Sequence, residues 1–145
     1  MSELEPFRVL LIDDDTALLE SMAAVLSEQF IVRCSASALH ALRLMDRETF
    51  HVVCADWQMP GMDGVEFFRE VESKKLLLQP CFVLVTGHTG ELLDKVPYDD
   101  RKMLGVLRKP FSPEQLIDRV NQYAGVADMK RSSAALRAAV LGDRK

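Results

Sequence analysis

Five short apolar runs, separated by stretches of helical periodicity, constrain this chain more than any other feature. The runs are Arg8-Val9-Leu10-Leu11-Ile12, Phe30 to Cys34, Phe50 to Ala55, Cys81 to Val85 and Leu104 to Leu107. Strands that read as nearly unbroken apolar segments are those covered on both faces. Between them, Thr16 to Glu28 repeats apolar residues at Leu19, Met22, Ala23 and Leu26, which is helical spacing. Ser37 to Glu48 places Leu39, Leu42 and Met45 on one predicted face, and Gly64 to Ser73 carries Val65, Phe68 and Val71. Glu91 to Lys95 predicts a short helix ended by Pro97. The last helix starts at Ser112-Pro113-Glu114-Gln115, where Ser112 suits the cap, Pro113 the first position and Gln115 the return bond of a capping box. Strands alternating with helices predict an α/β domain with a parallel sheet. Right-handed crossovers then put helices on both of its faces. Spacing alone does not fix the strand order.

The 145 residues allow one domain and a short remainder. Nearly half are apolar, enough for a substantial core, and a net charge of −4 with no clustered basic arm argues against a nucleic-acid surface. Cys34, Cys54 and Cys81 are odd in number and lack metal-ligand spacing. All three are expected to be buried, reduced thiols, as in a cytoplasmic protein. The acidic start Met-Ser-Glu-Leu-Glu-Pro predicts no secretory leader, and no run has membrane-spanning length. The tail from Gly125 to Lys145 contains an alanine-rich stretch, Ser133 to Leu141, that predicts a helix without a clean heptad when traced back through Tyr123.

Polar residues stand at the carboxyl ends of four of the runs: Asp13 and Asp14 after the first, Asp56 after the third, Thr86 after the fourth and Lys109 after the last. Open α/β sheets keep their sites along that edge. Three acids, a hydroxyl and an amine are the parts of a metal-dependent phosphoryl site. The acids would repel one another strongly unless a cation relieved them, and all-oxygen ligands favour Mg²⁺.

Ile12-Asp13-Asp14-Asp15, Asp56-Trp57-Gln58-Met59-Pro60-Gly61-Met62-Asp63-Gly64, Val85-Thr86-Gly87 and Lys109-Pro110-Phe111, in that order, resemble the receiver domain of two-component response regulators. The resemblance spans Phe7 to Ala124 and implies a flavodoxin-like, doubly wound five-stranded sheet in the order 2-1-3-4-5. Residues 1–124 would form the receiver and 125–145 a C-terminal extension, either a surface helix or a linker to an output domain. Asp56 would accept a phosphoryl group from a sensor histidine kinase or a histidine phosphotransfer protein. Asp13, Asp14, Asp56 and the Gln58 carbonyl would hold Mg²⁺. Lys109, aimed inward by a cis Lys-Pro bond, and Thr86 would contact the phosphoryl oxygens. Asp15 falls to the start of the first helix, where an acid suits the dipole. Gln58 and His88 would flank attacking water and set the lifetime of the phosphorylated form. His40 and His51 are expected at the surface.

One departure stands out. The family usually carries Tyr or Phe three residues before the lysine, and this chain has Val106, which cannot make the same large in-or-out rotation. Output by the family's route, to an effector protein or output domain, is therefore the least transferable part of the resemblance. Two other readings stay open. Asp13-Asp14-Asp15-Thr16 faintly resembles haloacid-dehalogenase-type phosphatases, with Asp13 as nucleophile, although Ala17 replaces the threonine of that pattern and Asp56 goes unexplained. A receiver-like module that binds partners without phosphorylation is the other. A homodimer through the tail is permitted but not compelled.

Overall fold

The computed structural model describes residues 5–59, 61–74, 76, 78–87 and 104–142, with side chains through Met129. His88, the expected helix Glu91–Lys95 and the stretch from Pro97 to Met103 lie outside the described residues. Five strands, β1 (Arg8–Ile12), β2 (Ile31–Ser35), β3 (Val52–Asp56), β4 (Cys81–Thr86) and β5 (Leu104–Arg108), form one sheet in the order β2-β1-β3-β4-β5. Every pairing is parallel. Among the described residues four helices accompany them: α1 (Thr16–Leu26), α2 (Ala38–Met45), α3 (Gly64–Ser73) and α4 (Pro113–Gly142). This is the doubly wound fold that the sequence resemblance implies. The chain winds outward from β1 in both directions, so a crevice opens at the carboxyl ends of β1 and β3.

Two apolar layers sandwich the sheet. One packs Leu10, Val53, Phe82 and Leu84 against α2 and α3; the other packs Leu11, Cys54, Val83 and Val85 against α1 and α4. Successive side chains of a strand point to opposite faces, so strands buried on both sides must be apolar at every position, as the β4 residues are. Phe82 meets Phe67 and Phe68 with ring centroids 5.7 and 5.0 Å apart. Truncating such a buried ring to alanine costs about 3–5 kcal/mol.

Three expectations about burial fail, each for a local reason. Leu39 is 61% exposed, because α2 lays the smaller Ala38 and Ala41, with Met45, against the sheet. Cys34 is exposed, whereas Cys54 and Cys81 are buried. β2 is an edge strand paired only with β1, so its sequence is not held to two-sided burial. His51 is not a surface group: its side chain is 12% exposed. Its Nδ1 accepts the Arg8 backbone N–H at 3.0 Å, and its ring lies 4.9 Å from that of Phe7. His40 is exposed as expected, with Nδ1 3.0 Å from Ser35 Oγ.

α4 begins as its sequence predicts. Gln115 N–H donates to Ser112 Oγ at 3.1 Å and Ser112 N–H donates to Gln115 Oε1 at 2.8 Å. Leu116, Val120, Ala124 and Ala127 are buried along it. The helix passes Ala124, the expected limit of the receiver, without a break. Among the described residues no helix is long and apolar enough to cross a membrane.

Candidate functional site

Each polar strand end is held by backbone bonds that follow from the sheet. Beyond β1, Asp13 N–H donates to the Ser35 carbonyl at 3.2 Å, extending the pairing with β2 by one residue. Asp13 Oδ1 accepts the Asp15 N–H at 2.9 Å, which fixes the rotamer of a side chain that is almost wholly buried. Asp15 turns away and caps α1, accepting the Leu18 N–H at 3.1 Å. It is thus committed to the helix end and not to the pocket. Asp14, between them, is exposed.

Asp56 closes β3 with Oδ1 accepting the Gln58 N–H at 3.2 Å. Trp57 continues the ladder, donating to the Val85 carbonyl at 3.1 Å, and its ring is buried. α3 starts close against this segment, with Gly64 N–H donating to the Trp57 carbonyl at 2.8 Å. A Cβ on Gly64 would stand 2.7 Å from Leu84 Cδ2 and 3.1 Å from the Asp56 carbonyl oxygen. A larger residue there would have to push the Leu84 side chain aside and shift the backbone of Asp56 and Trp57 by a few tenths of an ångström. Asp63 and Glu66 form a capping box with bonds of 2.8 and 3.3 Å, a stabilising device the sequence reading overlooked although Asp-x-x-Glu announces it.

On the far side, Thr86 ends β4 as one of three buried polar or charged side chains among the described residues. The Lys109 N–H donates to the Thr86 carbonyl at 2.8 Å, and the Lys109–Pro110 bond is cis. Lys109 Nζ lies 3.8 Å from Asp56 Oδ2 and 3.9 Å from Asp13 Oδ2. These are ion-pair separations, too long for direct hydrogen bonds. Val106, in place of the aromatic, packs partly buried against the layer under α2 and α3, and its carbonyl accepts from the Arg119 guanidinium.

The sheet therefore brings Asp13, Asp14, Asp56 and Lys109 together, with the Thr86 and Gln58 backbones bonded into the same edge. One carboxylate oxygen from each of Asp13, Asp14 and Asp56 can be chosen so that all lie within 4.8 Å of one another. Oxygens around Mg²⁺ at about 2.1 Å stand roughly 3 Å apart when adjacent and roughly 4.2 Å when opposite. The acidic cluster fits such an ion with minor contraction. The electrostatics agree: burial pushes the Asp13 carboxyl above the ordinary aspartate range, against the lowering effect of the Asp15 N–H. Asp56 and Asp14 push it further up, and Lys109 opposes them. Negative charge is thus under-compensated, and a divalent cation would relieve it.

Comparison with known proteins places this geometry. Residues 9–121 match the response regulator receiver domain family. The chain is 30% identical over 133 residues to the hydrogenase transcriptional regulatory protein HoxA of Cupriavidus necator, covering 89% of this chain and 27% of that protein. It is 30% identical over 120 residues to the transcriptional regulatory protein GlrR of Escherichia coli, covering 81% of this chain and 26% of that one. It therefore spans about a quarter of the length of these relatives. Among solved structures, adenylate cyclase from Rhodopirellula baltica aligns with a TM-score of 0.79 at 26% identity, covering 90% of this chain and 96% of that one. The chemotaxis response regulator CheY4 of Vibrio cholerae aligns at 0.70 with 24% identity, covering 81% and 98%, and attests the fold alone. The chain belongs to the response regulator receiver domain family, the signal-receiving module of two-component systems.

Proposed function

We propose that Asp56 accepts a phosphoryl group from a histidine of a sensor kinase or phosphotransfer protein and that the modified domain signals through protein contacts. The supporting observation is the meeting of three carboxylates with one lysine amine at the crevice where the sheet reverses. Asp13, Asp14, Asp56 and the Gln58 carbonyl would hold Mg²⁺, which when bound gathers charge on the transferring group.

In the transfer, an Asp56 carboxylate oxygen attacks phosphorus. The P–O bond forms as the P–N bond breaks, and the electron pair returns to the imidazole nitrogen of the donor. Lys109 Nζ, free to pivot from its two carboxylates, takes up charge on the equatorial oxygens. The Thr86 hydroxyl donates to another of them. In this reading the domain catalyses only its own phosphorylation and dephosphorylation. Residues 1–124 are the receiver, residues 125–145 are a C-terminal extension that is either a surface helix or a linker to an output domain, and the site of action is the cytoplasm.

Acetyl phosphate with Mg²⁺ tests the assignment. A base-labile adduct of one phosphoryl mass should appear on Asp56 and vanish in Asp56→Asn or with chelator. An adduct on Asp13 would move the assignment to phosphatase-type chemistry. No adduct under any condition would leave a binding module.

A further inference from the structure

We infer that Ser35 is a positioning residue for the acidic pocket: clamped by Ser37 and His40 at the start of α2, it seats the backbone of Asp13 and so sets how tightly the pocket holds a divalent cation. Only the last step rests on the proposed Mg²⁺ site. Three buried polar or charged side chains stand among the described residues: Asp13, Thr86 and Ser35. The first two belong to the candidate site, whereas Ser35 supplies no group to the proposed chemistry. Its burial is also unlike that of its strand, since the other four residues of β2 are partly or fully exposed. An edge strand that leaves its other side chains near water gives its one buried position to a hydroxyl. Such burial costs stability unless the hydroxyl is hydrogen-bonded.

The hydroxyl is saturated. Ser35 Oγ donates to the Ser37 carbonyl at 2.7 Å and accepts the Ser37 N–H at 3.2 Å. His40 Nδ1 lies 3.0 Å away. With the hydroxyl proton given to the carbonyl, Nδ1 carries the hydrogen and donates to the remaining lone pair. The one donor and both acceptor sites of the serine are then used. Ser37 Oγ in turn accepts the His40 N–H at 3.2 Å, so the imidazole is presented from the first turn of a capped helix. On its other side, the Ser35 carbonyl accepts the Asp13 N–H at 3.2 Å. Ser35 alone thus stands between the exposed His40 and the buried Asp13, joined to each by a hydrogen bond.

Asp13 transmits this constraint to the pocket. Its Oδ1 accepts the Asp15 N–H at 2.9 Å, and its Oδ2 stands 3.9 Å from Lys109 Nζ. With one carboxylate oxygen tied to the backbone two residues on, the direction of the other follows the backbone from Asp13 to Asp15. The amino side of that segment is held by the Ser35 carbonyl. Groups that orient metal ligands without touching the ion commonly govern its affinity. A purely local role for Ser35, helping to start α2, would lower stability and leave the pocket alone. Ser37 supplies the contrast, because its hydroxyl caps the helix while the Asp13 N–H is held by Ser35.

Residue-resolved NMR of the whole chain reads both steps: hydrogen exchange of the Asp13 amide without metal, and amide shifts on titration with Mg²⁺. Ser35→Ala should speed Asp13 exchange and weaken Mg²⁺ binding by roughly three- to tenfold each. His40→Ala, at an exposed position, should move both the same way to a smaller extent, and it decides the matter if Ser35→Ala does not fold. Ser37→Ala should lower the thermal midpoint and leave both readings unchanged. Unaltered Asp13 exchange in the Ser35 and His40 variants, or parental Mg²⁺ affinity in both, would overturn the inference. So would a Ser37→Ala variant that loses as much Mg²⁺ affinity as Ser35→Ala, since Ser35 would then act only through the helix start. A parent that binds no Mg²⁺ would overturn the proposed site itself, and the affinity step of this inference with it.

Discussion

The backbone N–H of Lys109 donates to the carbonyl of Thr86 across 2.8 Å, so the residue bearing the amine is locked to the residue bearing the hydroxyl. The two side chains leave the ends of adjacent strands, β5 and β4, in fixed register. The proposed cooperation of the two on one phosphoryl group would therefore be a property of the sheet, not of a flexible loop.

Replacing that amine isolates its role. Lys109→Met keeps the backbone bond to Thr86 and most of the side-chain volume but removes the charge facing Asp56 and Asp13. Phosphorylation by acetyl phosphate should slow by on the order of tenfold to a hundredfold, with the urea midpoint nearly unchanged because the side chain is 35% exposed. Stopped-flow fluorescence can follow both, since Trp57 is the sole tryptophan and adjoins Asp56. An unaltered rate would remove Lys109 from the transfer.

Asp13 makes stability depend on pH in a definite direction. Burial raises its folded-state pKa above the unfolded value of 3.8. An acid whose pKa is raised by folding binds protons more readily in the native state. Its ionisation therefore costs stability above the folded pKa, and that cost fades as pH falls from there toward the unfolded value. Asp13→Asn removes the cost while Oδ1 can still accept the Asp15 N–H. Without divalent cations the substituted protein should melt a few degrees higher near neutral pH. The gain should shrink on acidification, and added Mg²⁺ should stabilise the parent but not the variant. Calorimetry across pH would expose the opposite ordering if it held.

Gly105 and Tyr123 should behave as one unit. A Cβ on Gly105 would fall 2.4 to 2.5 Å from Cε2, Cζ and the hydroxyl oxygen of Tyr123. Gly105→Ala should cost about 1–3 kcal/mol in urea unfolding. In the Tyr123→Leu background the same change should cost distinctly less, giving a coupling energy in a double-mutant cycle. Additivity would show that the ring does not enforce the glycine.

What was legible in the sequence tracks how many sides of an element are constrained. β3 and β4 are covered on both faces, so their unbroken apolar runs identified them, and the polar residue that ended each run lay at the site edge. The pocket followed, because Asp13, Asp14, Asp56 and Lys109 converge once the sheet is ordered, and that order came from the family resemblance. α2 defeated the reading: it is short and mostly apolar, so more than one stripe fits it, and packing chose the alanine side. Cys34 sits on an edge strand where burial is optional. His51 looked peripheral because its partner, the Arg8 N–H, is a backbone group on another strand, which no local pattern announces. The bond that seats Asp13 beside Ser35 was invisible for the same reason.

The capping box at Ser112 gives one last consequence. It starts α4 directly beyond the Lys109–Pro110 corner, and the same unbroken rod reaches Gly142. A stiff rod converts a small change of angle at one end into a large sweep at the other. The near half of this rod is clamped to the sheet through Leu116, Val120, Ala124 and Ala127, so the packed core sets the direction in which its far half projects.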